Sequence, residues 1–161
     1  MPLTKLREFL DAHNVRYHIT SHSVAYTAQG IAALVHLSGK RLAKTVIVKM
    51  DGALAMAVVP ASSHVDLNLL KASTGAKHVE LASEQEFRDK FPDCETGAMP
   101  PFGKFYGMKV FVDPSLADQE EITFNAGTHR ELVGLPWNDF VRLVTPMVTT
   151  LTSTGVVKSA A

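Results

Sequence analysis

Three stretches of this chain hold residues whose types and spacing could do chemistry. In "AKTVIVKM", residues 43–50, Lys44 stands among apolar and β-branched neighbours that predict burial of alternate side chains. A lysine there has two physical outcomes. Its stem can snorkel along the sheet to a wet edge, or its ammonium can project into a cleft, where a lowered dielectric strengthens its hold on a phosphate or a developing oxyanion. In "TGAMPPFGKFYG", residues 96–107, two prolines, three glycines and three aromatics fall within twelve residues. Glycine permits positive φ and close backbone approach while proline fixes φ and removes a donor, so the stretch specifies one loop shape. The third stretch, "FNAGTHRE", residues 124–131, sets Gly127, Thr128 and His129 at the end of a strand, where a loop can line a pocket mouth.

Other candidates are weaker. His18 and His22 stand four apart, but "HITSH" reads as strand into loop with no carboxylate at ligand spacing, so polar or surface histidines are the better reading and no metal is expected. Cys94 is flanked by Asp93 and Glu95, whose charges oppose the thiolate a nucleophile needs. The chain contains no GxGxxG, Walker loop, HExxH, GxSxG or CxxC motif.

The 161 residues suit one domain with its own core, spanning 1–161, with 147–161 as a peripheral tail. No apolar run reaches the ~20 residues of a membrane span, and a lone cysteine agrees with a reducing compartment, so the expectation is a cytoplasmic protein with no membrane contact. Formal net charge is zero, which argues against coating of nucleic acid by bulk electrostatics. The charge is nonetheless uneven: residues 1–50 hold seven Lys and Arg against two acids, and residues 51–100 hold four against eight. A phosphate-bearing partner would meet the N-terminal third around Lys40, Arg41, Lys44 and Lys49.

The elements that must position these residues follow from periodicity. Leu3, Leu6, Phe9 or Leu10, and His13 predict an opening helix, and residues 15–19 a strand. Thr27 can cap a helix ending near Gly39. Asp51-Gly52 between two β-rich runs is a hairpin signal. Asp66 and Gly75 bracket a helix, residues 77–81 form a short strand, and Ser83 with Glu86 has capping-box spacing for a helix running to about Lys90. Residues 108–113, 121–127 and 130–136 read as strands, and 137–144 as a last helix stopped by Pro146. The fold class expected is α+β, with a mixed, mostly antiparallel sheet and flanking helices.

"LAKTVIVK", then "GAMPPFG" some fifty residues later, then "NAGTHRE", in that order, resembles the YbaK/ProX-type aminoacyl-tRNA editing domain family over nearly the whole chain. The resemblance implies a partly barrel-like mixed sheet and a freestanding hydrolase that removes a wrongly attached amino acid from tRNA without metal or other cofactor. It implies Lys44 and Gly97 as the catalytic positions, with Lys44 anchoring the substrate and stabilising charge. Thr45, Ala98, Met99, Pro101, Phe102, Gly103, Gly127, Thr128 and His129 would bind substrate, and His22 and Tyr26 would face the same cleft. An aminoacyl ester is already activated, so positioning, carbonyl polarisation and a water suffice without a protein nucleophile. "GTHRE" looks most like members that clear alanine from proline-specific tRNA, while related members clear cysteine, serine or threonine. The partners implied are the aminoacylated 3′ end of tRNA and an aminoacyl-tRNA synthetase, with no DNA. A different class of reading is a non-catalytic module that binds nucleic acid, with bases stacked on Phe102, Phe105 or Tyr106, or that binds a small ligand.

Overall fold

Among the residues described by the computed structural model, 2–21, 42–92, 94–95 and 97–152, eight strands form one sheet. The expected helix over 27–39, with Lys40 and Arg41, lies outside them. Helix α1 (Pro2–Ala12) buries Leu6 and Leu10, one turn apart, and ends where Asn14 takes φ +58°. The strand expected over 15–19 lies further on, as β1 (His18–Ser21). Val15 is drawn under α1 by its amide bond to the Leu10 carbonyl, so pairing starts only at His18 opposite Gly134.

β2 (Leu42–Met50) and β3 (Ala53–Pro60) form the expected hairpin, and both turn residues take positive φ, Asp51 at 49° and Gly52 at 87°, as a type I′ turn requires. The Asp51 carboxylate accepts the amides of Lys77 and His78, at 3.0 and 2.8 Å, which fastens the turn to the chain entering β4 (Val79–Leu81). Between them runs α2 (Leu67–Thr74), capped by Asp66 and closed by Gly75 in the left-handed region. Ser83 and Glu86 form the capping box of α3 (Glu84–Phe87), and a 3₁₀ turn continues it over Arg88–Lys90.

β5 (Lys109–Val112) leads into a short helix that the sequence pattern did not reveal, α4 (Pro114–Ala117), with Asp113 as its cap and proline in its first turn. β6 (Glu121–Asn125), β7 (Glu131–Pro136), α5 (Trp137–Val144) and a two-residue β8 (Met147–Val148) complete the order. Part of the expected tail is therefore tied in: β8 pairs with β5, and the Leu151 and Thr152 amides bond to buried Asp113.

The strand order is β1-β7-β6-β2-β3-β5-β8, with β4 also on β2. Pairing is antiparallel for β1–β7, β6–β7, β2–β3 and β2–β4, and parallel for β2–β6, β3–β5 and β5–β8. The sheet is thus mixed and mostly antiparallel. Its two faces carry two cores. One gathers Ala43, Ile47, Met56 and Val58 with Phe124, Val133 and the apolar sides of α1 and α5; the other gathers Val48, Ala57, Val59 and Phe111 with Leu70 and Leu151.

Candidate active site

Lys44 lies in β2, opposite Val59 of β3. Strand alternation sets it on the face of Val46, Val48 and Met50, and sets Thr45 on the other, between Ala43 and Ile47 of the larger core. Along one edge β2 is paired with β3 throughout. On its other edge β6 covers only Leu42 and Ala43, and β4 covers only Val48 to Met50. Among the described residues, Lys44, Thr45 and Val46 thus have no strand paired with them on this edge. The Ile47 carbonyl accepts the Ala82 amide, and the Asp51 amide donates to the His78 carbonyl, on the β4 side. Two-residue alternation therefore turns the Thr45 amide and carbonyl toward this edge.

Lys44 is partly buried and no carboxylate among the described residues pairs with it. Desolvation holds its pKa below the ordinary lysine value. A partly desolvated cation that meets no counter-ion among the described residues is suited to a phosphate or an oxyanion.

At the C-terminal end of β6 the chain turns through Gly127, at φ +97°, onto the proline-glycine loop. The Gly127 amide donates to the Ala98 carbonyl at 2.8 Å, the Glu95 amide to the Gly127 carbonyl at 2.8 Å, and the Ala98 amide to the Glu95 carbonyl at 3.0 Å. The Glu95 carboxylate accepts the His129 amide at 2.7 Å, and Thr128 donates its hydroxyl to Glu131 at 3.2 Å. These bonds bring Gly97, Ala98, Gly127, Thr128 and His129 together. Gly97 is exposed at φ +86°, and a β-carbon built there would stand 3.5 Å from His129 Cε1. A cleft of about 780 Å³ beside them is lined by Arg88, Phe91, Cys94, Glu95 and His129, among others.

The loop rests on an aromatic platform. Phe102 is 2% exposed, its ring 5.6 to 6.1 Å from those of Phe9, Phe105, Phe124 and Phe140. Met99 and Pro101 are buried as well, and Gly103 packs on the Met108 carbonyl. Phe102 therefore shapes the loop from beneath and offers little surface to a ligand. The Ala98 amide, expected to contact substrate, is already donated within the loop, which leaves Gly97 as the accessible backbone. Phe105 and Tyr106 are packed against Phe9 and Phe91, so the aromatics a base-stacking module would display belong to the core.

His22 and Tyr26 lie outside the described residues. Cys94 is partly buried, with Sγ 3.6 Å from the Tyr106 hydroxyl. Two residues that were not candidates belong to the constellation. Glu95 joins the loop to His129, though in sequence it registered only as an acid beside Cys94. Asn125 ends β6, within the "FNAGTHRE" stretch and two residues before the Gly127 turn. A cavity of similar size, about 790 Å³, lies at the hairpin end around Met50, Asp51, Leu54 and Thr145, and holds none of the expected site residues.

A backbone cradle at the end of β6, and a lysine on β2 that meets no carboxylate among the described residues, suit a site that polarises and positions an activated ester. The comparisons with known proteins agree. Residues 22–143 match the family model described as aminoacyl-tRNA editing domain. The chain is 26% identical over 147 residues to the multifunctional Ser/Thr-tRNA deacylase ProXp-y of Escherichia coli (strain K12), covering 88% of this chain and 87% of that protein. It is also 26% identical over 87 residues to the proline–tRNA ligase of Bacillus mycoides (strain KBAB4), covering 54% of this chain and 15% of the ligase. A solved structure assigned as a trans-editing enzyme for prolyl tRNA synthetase superposes with a TM-score of 0.79 at 18% identity, over 94% of this chain and 96% of that one, and shares the fold. The chain belongs to the aminoacyl-tRNA editing domain family, and it is an aminoacyl-tRNA deacylase.

Proposed function

We propose that the whole chain is one trans-acting editing unit of the cytoplasm that clears a wrong amino acid from tRNA, with Ala-tRNA(Pro) as the first substrate to test. Water adds to the ester carbonyl, the bond between that carbon and the ribose oxygen breaks, and the free amino acid and the ribose hydroxyl leave. Lys44 anchors the substrate end and offsets the charge that develops on oxygen, while the Gly97 backbone receives the scissile group. Thr45, Ala98, Met99, Pro101, Phe102, Gly103, Gly127 and Thr128 hold the shape of the pocket, and His129 limits its volume. His22 and Tyr26 complete the same cleft.

The observation that carries this reading is the cradle formed by Glu95, Ala98, Gly127 and His129, with Gly97 exposed on it, at the end of the strand that leaves β2 at Lys44. A small sieve makes sense because a synthetase pocket rejects a smaller amino acid only by the few kcal/mol of the missing methylenes. The name of the Escherichia coli relative favours a second substrate choice, seryl and threonyl esters. A synthetase that hands over the charged tRNA is the partner expected.

The test is deacylation of Ala-tRNA(Pro), Cys-tRNA(Pro) and Ser-tRNA(Thr) by wild type and Lys44→Ala. Selective hydrolysis that falls about 10²- to 10³-fold without the lysine is expected, the usual loss for one electrostatic stabiliser. Full activity in Lys44→Ala would remove the lysine from the mechanism. His129→Ala should admit bulkier aminoacyl groups, and unchanged selectivity would take His129 out of the sieve.

A further inference from the structure

Asn125 is 6% exposed, and among the described residues its buried side-chain oxygen Oδ1 has no hydrogen-bond partner. Such an acceptor is costly to bury, and native structures keep few of them unless a ligand or a function answers them. Its position narrows what that function is. Ile122, Phe124 and Ala126 point into the larger core, so Asn125 points to the other face of β6. The parallel register pairs Leu42 with Thr123 and Ala43 with Phe124. One step further sets Lys44 beside Asn125, on one face of the sheet, where the two strands part. A cationic donor and an unanswered acceptor thus occupy neighbouring positions, two residues before the Gly127 turn that holds the loop.

The pair selects among ligand groups. A phosphate or carboxylate would suit Lys44 but meet the lone pairs of Oδ1, and an ammonium would suit Oδ1 but be repelled by Lys44. A hydroxyl both accepts and donates. We propose that Asn125 is a hydroxyl-binding residue of this site, its Oδ1 accepting a hydrogen bond from a substrate hydroxyl whose oxygen faces the Lys44 ammonium. The inference rests on the deacylase reading for the substrate's identity. An aminoacyl-tRNA end offers two such groups: the ribose hydroxyl next to the ester, and the side-chain hydroxyl of a seryl or threonyl group.

The experiment compares wild type, Asn125→Leu and Asn125→Asp. The probes are amide-linked, non-hydrolysable alanyl- and seryl-adenosine, each with and without the neighbouring ribose hydroxyl, with binding read by calorimetry. Deacylation of Ala- and Ser-charged tRNA runs in parallel. Asn125→Leu should weaken binding at least tenfold for every analogue that carries the recognised hydroxyl and leave the others unchanged. If the loss follows the ribose hydroxyl in both the alanyl and seryl series, the pair reads the sugar. If it appears only with seryl, the pair reads the side chain and discriminates serine from alanine. Asn125→Asp, which keeps the acceptor, should retain the hydroxyl preference. The melting temperature of Asn125→Leu should equal or exceed that of wild type, because an unanswered acceptor has been removed; a fall of several degrees would mark a structural amide and overturn the proposal. Equal binding of all analogues by wild type and Asn125→Leu would overturn it too, while wild-type hydrolysis would leave the deacylase reading intact. Asn125-dependent binding with no hydrolysis of any charged tRNA would uphold the pair and sink the deacylase reading.

Discussion

Gly103→Ala tests whether the proline-glycine loop is held by sterics rather than by backbone conformation. A β-carbon at Gly103 would stand 2.1 Å from the Met108 carbonyl oxygen and 2.7 Å from Val110 Cγ2. The first contact is backbone and cannot swing aside as a side-chain tip can. Reaching ordinary contact requires the 3₁₀ turn over Gly103–Phe105 and the Met108 peptide to separate by about 1.3 Å. That separation strains the bonds from the Tyr106 and Met108 amides to the Gly103 carbonyl, now 2.9 and 3.0 Å. Overpacking costs roughly 1–3 kcal/mol and each buried hydrogen bond about 1, so the variant should lose about 3–5 kcal/mol. For a chain of this size that is a fall in melting temperature of about 6–20 °C. Gly97→Ala is the internal control. Its new methyl meets only His129, at an acceptable 3.5 Å, and the penalty is the left-handed backbone, roughly 1–2 kcal/mol. Thermal and urea unfolding of both variants decide the matter. A Gly103→Ala protein melting within about 2 °C of wild type would refute the steric argument, and so would Gly97→Ala proving the more damaging to stability.

Asp113 is buried and accepts the amides of Leu151 and Thr152, at 2.9 and 3.2 Å, and of Ser115, at 3.2 Å. Asp113→Ala removes a helix cap and leaves amides unanswered, so it should cost about 3 kcal/mol. It should also speed hydrogen exchange at Leu151; unchanged exchange there would free the 147–152 segment from this clamp. Lys49, hydrogen-bonded at 2.8 Å, and then the Ser83 cap hold the Glu86 carboxyl down to about 2 from 4.5. A depressed carboxylate stabilises fully above its unfolded pKa and loses that contribution as pH falls toward its folded one. The stability gap between wild type and Glu86→Gln should therefore close between pH 5 and pH 2, and a constant gap would contradict the assignment. Lys44 has its folded pKa lowered by burial, so its charge penalises folding below that pKa, and the penalty fades as pH rises toward 10.5. At neutral pH Lys44→Met should therefore hold or raise the melting temperature while deacylation falls about 10²- to 10³-fold; a clear loss of stability would make the lysine structural.

Much of the scaffold was legible because local chemistry and tertiary structure agree there. Asp51-Gly52 can be little other than a tight hairpin, and Asp66, Gly75, Ser83 and Glu86 occupy the caps their side chains suit. The errors have tertiary causes. Val15 was counted into a strand by its alternation with Tyr17 and Ile19, but α1 claims it for the core. α4 is one turn long, too short to show a helical period. In the site, glycine and proline density announced the loop, but their division of labour was hidden. Only the packing shows that Phe102 and Met99 support the loop from beneath and that Glu95 latches it to His129. Asn125 was hidden for a different reason: an asparagine at a strand end reads as turn chemistry until the fold shows its carboxamide buried.

Stability and chemistry are assigned to different edges of one strand. β2 is paired with β3 over its whole length, from Ala43 opposite Pro60 to Met50 opposite Ala53, and this ladder gives the sheet its rigidity. The other edge is shared by β6 and β4, and among the described residues no strand covers Lys44, Thr45 and Val46 between them. An exposed strand edge is ordinarily a liability, because unpaired amides and carbonyls invite another strand. Among the described residues the uncovered length is three, too short to template a strand, yet long enough to present one ammonium on one face and one threonine hydroxyl on the other. The same gap turns a main-chain donor and acceptor of Thr45 toward the space β6 has just left. A "KT" pair at this point is therefore more than a lysine with an incidental neighbour. Alternation sends the two side chains to opposite faces, while the backbone between them faces the opening, so one dipeptide supplies polar groups in three directions from a strand held along its whole other edge.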